Sequence, residues 1–176
     1  MITVPNFVSS YLEQARLIGL TPTKLIAAEN YPPGYGDLST YFYRSIKPEF
    51  RANLKAPKFF KNVMESLGIK GDSEFDQLNN FLHQGYRLID CYNHNRIMYP
   101  PKSIVDDINT LGSNRIIFLT ERNVAAIQAI AEIPDVAQKI VPDFRRGEIW
   151  FPFPNYPSQE LAFKESIQFA ISHKLF

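Results

Sequence analysis

Residues Lys24 to Gly36 set a carboxylate and an amide, Glu29 and Asn30, directly behind five residues with the character of a short buried strand. An ionised carboxylate accepts hydrogen bonds, and an amide both donates and accepts. In open α/β sheets ligands bind just beyond the carboxyl ends of the strands. Glu29 and Asn30, followed by Tyr31 and held by Pro32 and Pro33, therefore form a candidate site wall. The same residues also read as an ordinary strand-ending turn, since Pro, Gly and Asn punctuate strands in any case. Two later stretches repeat the arrangement. Tyr86 to Cys91 runs into Tyr92, Asn93, His94, Asn95 and Arg96, and Glu148 to Phe151 runs into Pro152, Phe153, Pro154, Asn155 and Tyr156. Other chemistry is poorly served. Cys91 lies on a strand with the character of core, where a thiol is inert. With His94 it forms a Cys-x-x-His pair that lacks the further ligands zinc needs. His83 and His173 fall at helix carboxyl ends, where a cation is favoured locally, and carry no assigned chemistry. No phosphate loop, dinucleotide fingerprint or nucleophile elbow occurs, so no cofactor and no metal is expected.

The elements that would position these loops follow from periodicity. Residues 5–18 read as a helix, with Phe7, Val8, Tyr11, Leu12, Ala15 and Ile18 on one face. Gly19 stops it. A strand over 24–28 leads into the first loop, and an aromatic cluster, Tyr41, Phe42 and Tyr43, comes next. Helices are expected over 48–67 and 73–84, the second capped by Ser73. A strand over 86–91 precedes a helix opened by Pro100 and Pro101, with Ile104, Val105, Ile108 and Leu111 inward. A strand over 115–119 ends at Thr120, which caps a helix running to about Ala131. Short strands are expected over 138–141 and 148–151, and Ser158 is read as the cap of a last helix with Ala162, Phe163, Ile167, Ala170 and Ile171 inward. Strands alternating with helices imply right-handed crossovers and a mostly parallel sheet. The expected architecture is one three-layer α/β/α domain over residues 1–176, with a central sheet of four to five strands. Parallel strands place the three polar loops on one edge, where they should converge.

Composition bounds the partners. The chain has 176 residues, 45% apolar and 21% charged, which are globular values. No run approaches the roughly 18 apolar residues of a membrane span. The amino terminus lacks the basic and apolar regions of a signal peptide, and a single cysteine excludes an internal disulfide framework. A cytoplasmic protein without membrane contact is expected. The net charge of +1 supplies no global field for nucleic acid. A phosphate-binding surface would be local, with Lys55, Lys58, Lys61, Arg145 and Arg146 as candidates. Aromatics reach 14%, several of them in loops, a pattern that base-stacking proteins use.

The order of these loops resembles the uracil-DNA glycosylase superfamily. Ala28 to Gly34 is similar to its Gly-[Glu/Gln/Asn/Ile]-x-Pro-Gly type motif after the first strand, with slightly longer spacing. Tyr41, Phe42 and Tyr43 lie where the family carries the ring that stacks on an extruded base. Leu88 to Asp90, then Asn95, Arg96, Pro100 and Pro101, are similar to a strand that ends in Asn in the family. Phe151 to Pro154 is similar in spacing to the last motif, His-Pro-Ser-Pro, and a helix follows in both. The resemblance covers residues 20–175. It implies hydrolysis of the bond joining a base to deoxyribose, on a base taken out of the stack into a pocket. Glu29 or Asn30 would position water, and Tyr41, Phe42 or Tyr43 would stack on the base. Asp90, Asn93 or Asn95 would read its edge, and residues Phe151, Pro152, Phe153 and Pro154 would close the last wall. DNA, a free nucleobase or a nucleotide is the implied partner.

Two positions depart from the family's pattern. Phe151 stands in place of His and offers no donor to the departing base. Asp90 stands in place of Asn, and an ionised carboxylate only accepts. Losing one such donor typically costs about two to three orders of magnitude in rate. A binding or interaction module that keeps the pocket without the chemistry is thus a competing reading. A third is an α/β hydrolase or transferase of another family in which Glu29 is merely a strand-end carboxylate.

Overall fold

The computed structural model describes residues 23–29, 41–46, 48, 51, 55–93, 95–120 and 122–176. The helix expected over residues 5–18, and Asn30, Tyr31, Pro32 and His94, lie outside the described residues.

Four strands, β1 (Lys24–Ala28), β2 (Tyr86–Asp90), β3 (Arg115–Thr120) and β4 (Phe151–Pro152), form one sheet in the order β2-β1-β3-β4. Every pairing is parallel, with Ala28 opposite Asp90 on one side and Leu119 on the other, and Thr120 opposite Pro152. Helices α1 (Lys58–Ser66), α2 (Glu74–His83), α3 (Pro101–Leu111), α4 (Val124–Ala131), α5 (Pro134–Ala137) and α6 (Pro157–Ser172) complete the described framework, with a 3-10 turn at Arg44–Ile46.

The pleat divides the apolar residues into two cores. Leu25, Ala27, Ile89, Ile116 and Phe118 pack with Ile104 and Ile108 of α3, Ile127 and Ile130 of α4 and Val136 of α5. Ile26, Ala28, Leu88, Ile117 and Leu119 pack with Phe60 and Val63 of α1, Leu78 and Phe81 of α2, and Phe163 and Ile167 of α6. Helices thus flank both faces, which is why the strands read as unbroken apolar runs rather than alternating ones. The fold is α/β with an all-parallel sheet. Among the described residues no helix is long and apolar enough to cross a membrane.

Local signals place most element ends. The Ser73 hydroxyl accepts the Asp76 N–H at 3.1 Å and caps α2 as expected. Pro101 opens α3, and Gly112, at φ 70°, closes it in the left-handed conformation that glycine tolerates. Elsewhere the boundaries move. α1 begins only at Lys58, because Pro57 holds an extended ψ of 144° before it. Ser158 is not the cap of α6: Pro157 is already helical and Tyr156 occupies the cap position without a side-chain bond. The strand expected over 138–141 is a single parallel bridge between Ile116 and Ile140. The last strand starts at Phe151 rather than Glu148, since Glu148 pairs back with Asp143 across a turn containing Gly147 at φ 72°.

Two polar contacts anchor the aromatic segment 41–46, one to the sheet and one to α2. The Tyr43 hydroxyl donates to the Leu88 carbonyl and accepts the Leu88 N–H, both at 2.7 Å. One side chain thereby satisfies the open edge of β2 at that residue, the outer strand on its side. Arg44, almost fully buried, grips the equally buried Glu74 with Nε and Nη2 at 3.0 and 2.9 Å and donates to the Lys55 carbonyl at 2.6 Å. The second contact joins the 3-10 turn to the start of α2.

Candidate functional site

The strand order creates a particular place. From β1 the chain crosses to β2 on one side, then returns past β1 to β3 on the other. Such a reversal leaves a crevice at the carboxyl ends of the two strands whose connections diverge, here β1 and β3. Glu29 is the first residue past β1. Its N–H donates to the Leu119 carbonyl at 2.8 Å, extending the β1–β3 pairing by one step. Continued alternation sends its side chain to the face of Leu25 and Ala27, where Thr120 also points.

Two chain segments, at Tyr92 and over residues 120–123, close on that carboxylate. Oε1 accepts the Tyr92 hydroxyl at 2.7 Å and Asn123 Nδ2 at 3.0 Å. Oε2 accepts the Arg122 backbone N–H at 2.9 Å and, in a short contact, the Thr120 hydroxyl. Asn123 Nδ2 also meets the Tyr92 oxygen. Asn123, not Thr120, occupies the cap position of α4; the Asn123 N–H donates to Thr120 Oγ1 at 3.2 Å, while the Thr120 hydroxyl gives its proton to Glu29. Burial, then the hydrogen bond to Glu29 and its charge, push the Tyr92 phenol above its ordinary value, so it stays a donor. An acceptor-only carboxylate ringed by donors suits an anion, fixed in one orientation and half-buried at the sheet edge.

Tyr92 is held by its own loop. Asn93 Oδ1 accepts the Asn95 and Ile97 N–H groups at 2.9 and 3.1 Å, and Tyr92 bridges Met98. Arg96 adopts φ 62° to close the turn. Asn93 is therefore a loop-forming residue, its carbonyl turned onto its own backbone, and Asn95 is exposed. Asp90 ends β2 opposite Ala28, so the pleat sends it to the face away from Glu29. There, after burial, its charge helps push the Tyr41 and Tyr43 phenols up. Glu29 and Asp90 share the edge but project to opposite faces.

The aromatic residues expected to stack on a base are core side chains. Phe42 packs edge-on and tilted against Tyr43, Phe59, Phe60 and Phe81, and Tyr41 is buried as well. Tyr43 anchors β2. Phe151 is fully buried, at 0% exposure, opposite Leu119. Phe153 stacks on Phe59 with ring centroids 5.1 Å apart and planes 10° from parallel. Pro154 is tied to α1, its carbonyl accepting Asn62 Nδ2 at 2.8 Å. Pro152, level with Thr120, is the residue of the last motif nearest the Glu29 cluster in register.

The basic candidates are largely engaged elsewhere. Arg145 pairs with Glu165, Arg146 lies 3.7 Å from Asp143, and Lys58 pairs with Glu160. Hydrogen bonds from Lys58 and Asn62 hold the Glu160 carboxyl below its usual range. Cys91 is buried, and burial followed by the charges of Asp90 and Glu29 pushes its thiol up, away from the reactive thiolate. Among the described residues no group of three or more His, Cys, Asp or Glu is arranged to hold a metal.

Tyr92, Thr120, Arg122 and Asn123 join Glu29 in this candidate site, and the sequence analysis assigns none of them a site role. The turn from strand to helix over Ile116 to Arg122 is itself similar to a segment of the uracil-DNA glycosylase superfamily, but that similarity marks no single side chain there. Nothing local marks Tyr92 above the other loop tyrosines. Comparison with protein-family models, with curated proteins and with solved structures finds no match to this chain.

Proposed function

We propose that the carboxyl edge between β1 and β3 takes a nucleobase, in DNA or as a nucleotide, in a uracil-DNA glycosylase-like site with N-glycosidic hydrolysis centred on Glu29. The observation that carries this reading is the oriented carboxylate at the point where the strand order reverses, the place an open parallel sheet offers a ligand. A carboxylate held there is suited to orienting water against a cation-like sugar, since it stabilises positive charge without reorganising. Arg96 and Arg122 are exposed on loops at the same edge.

A second reading, a pocket that binds without cleaving, is favoured by two specific observations. Phe151 is sealed in the core and presents no donor for a departing base. Each Glu29 oxygen already accepts two donors, so a nucleophilic water has to displace one of them.

The deciding experiment incubates the protein with single- and double-stranded oligonucleotides containing uracil, hypoxanthine or xanthine, measuring free base and salt-dependent retention together. Base release that Glu29→Gln abolishes establishes hydrolysis. Retention that weakens with salt, without release, establishes the binding form, because phosphate contacts lose affinity steeply as salt rises. Neither release nor retention, from any substrate at high protein concentration, removes the proposal.

A further inference from the structure

We propose a second ligand site at the opposite end of the sheet, a cleft for a phosphate monoester carried on a planar ring, of the nucleoside monophosphate class. It is independent of the Glu29 reading. A cavity of ≈ 410 Å³ opens where β3 begins, bounded by Asn114, Arg115, Gln138, Lys139, Phe144 and Leu175 over an apolar floor of residues 140–142. That volume falls within the roughly 300–1,000 Å³ of small-molecule sites.

The walls are set by the fold. The segment before β4 is pinned to the outer edge of β3, with the Ile116 N–H on the Lys139 carbonyl and the Val141 N–H on the Ile116 carbonyl, both 2.8 Å. This strap covers the amino half of β3 where the two-residue β4 does not reach. Arg115 Nη1 donates to the Leu175 carbonyl at 2.6 Å, which holds the guanidinium against the turn after α6. Phe144 stands 58% exposed on the Asp143 turn, where Asp143 accepts the backbone N–H groups of Arg145, Arg146 and Gly147. A large apolar ring held out on a braced turn is a stacking surface for a flat ligand.

Charge identifies the other half of the ligand. Arg44, Lys58, Arg145, Arg146 and Lys164 each lie against a carboxylate. Among the described residues no carboxylate pairs with Arg115 or Lys139, and none lines the cleft. Two cations that line one cleft without an ion-pair partner among the described residues attract an anion. A phosphate monoester carries about −1.5 to −2 charges at neutral pH, matching the pair, and the guanidinium fork fits its oxygens. Asn114 and Gln138 add donors and acceptors for a base edge or sugar hydroxyls.

The test titrates the full chain with each of the four ribonucleoside monophosphates, the matching nucleosides and inorganic phosphate, by calorimetry at low ionic strength. Saturable monophosphate binding is expected, weakened about tenfold or more by Lys139→Gln. Phe144→Ala is expected to weaken nucleotide binding and leave inorganic phosphate unchanged. Arg115→Gln should act like Lys139→Gln; because it also releases Leu175, its melting temperature is compared first, and Lys139→Gln carries the decision. Glu29→Gln should leave this binding intact. Absence of saturable binding up to about 10 mM overturns the proposal, as does binding indifferent to both Lys139→Gln and Phe144→Ala. Phosphate bound as tightly as any nucleotide overturns the ring-stacking half. Binding lost only in Glu29→Gln moves the nucleotide to the other edge, sinking this site while supporting that one.

Discussion

Replacing Tyr43 by Phe separates a structural ring from a ligand-stacking one. The substitution keeps the phenyl group among Phe42, Tyr41 and Leu88 and deletes only the hydroxyl. That hydroxyl meets both polar groups of Leu88 at 2.7 Å on the open side of β2, and both residues are about 3% exposed. Phe leaves a buried N–H and a buried C=O without this partner, each costing about 1–3 kcal/mol, the carbonyl at the low end. The expected loss is about 2–4 kcal/mol, which for a chain of this size lowers Tm by roughly 4–16 °C. Urea denaturation followed by far-ultraviolet circular dichroism reads the loss as a lower midpoint with unchanged slope. Any ligand at the Glu29 edge should bind as before, because the ring is preserved. A loss below about 0.5 kcal/mol, within the range of ordinary surface substitutions, refutes the assignment of Tyr43 as the anchor of β2.

Three further outcomes follow from the same geometry. Arg44→Met should destabilise by about 3–5 kcal/mol, leaving Glu74 charged and buried, and adding Glu74→Leu should restore most of that in the same denaturation assay; a double variant no better than the single one contradicts a buried pair. The Cys91 thiol is held above its ordinary value in the fold, so the unfolded chain loses that proton first. Stability should therefore be intact below the unfolded value of about 8.5 and decline as pH rises beyond it, with a slope that Cys91→Ala reduces; identical slopes for the two proteins exclude the linkage. Tyr92→Phe should cost about 0.5–1.5 kcal/mol through the lost bond to Glu29 and alter ligand affinity at that edge, with monophosphate binding at the Lys139 cleft as the unmoved control.

The alternation of strands and helices was legible in the chain because it depends on neighbours within a few residues. Leu25 to Ala28 and Ile116 to Leu119 are apolar without a break, and Ile104, Val105, Ile108 and Leu111 repeat at helical spacing. Those patterns, with parallel crossovers, were enough to bring the ends of the strands to one edge. The Ser73 cap was legible for the same reason. One misplaced boundary arose where two local patterns competed: Glu148, expected in a strand, pairs back with Asp143 across the turn that precedes it.

The roles of individual side chains were another matter. Read along the chain, Phe42, Tyr43, Phe151 and Phe153 are equally compatible with a stacking platform and with core. The approach of α1 and α2 brings Phe59, Phe60 and Phe81 against Phe42 and Phe59 against Phe153, and Tyr43 and Phe151 are buried in the same cluster. Glu29 could be singled out from its place behind β1, but its donors come from residues 63, 91, 93 and 94 positions away. No local rule specifies such partners. Composition and periodicity determined that this protein is α/β, that its sheet is largely parallel and that polar loops share an edge. Tertiary structure decided which of those polar groups face one another, because the pleat sends adjacent residues to opposite faces and long-range packing chooses which face is filled.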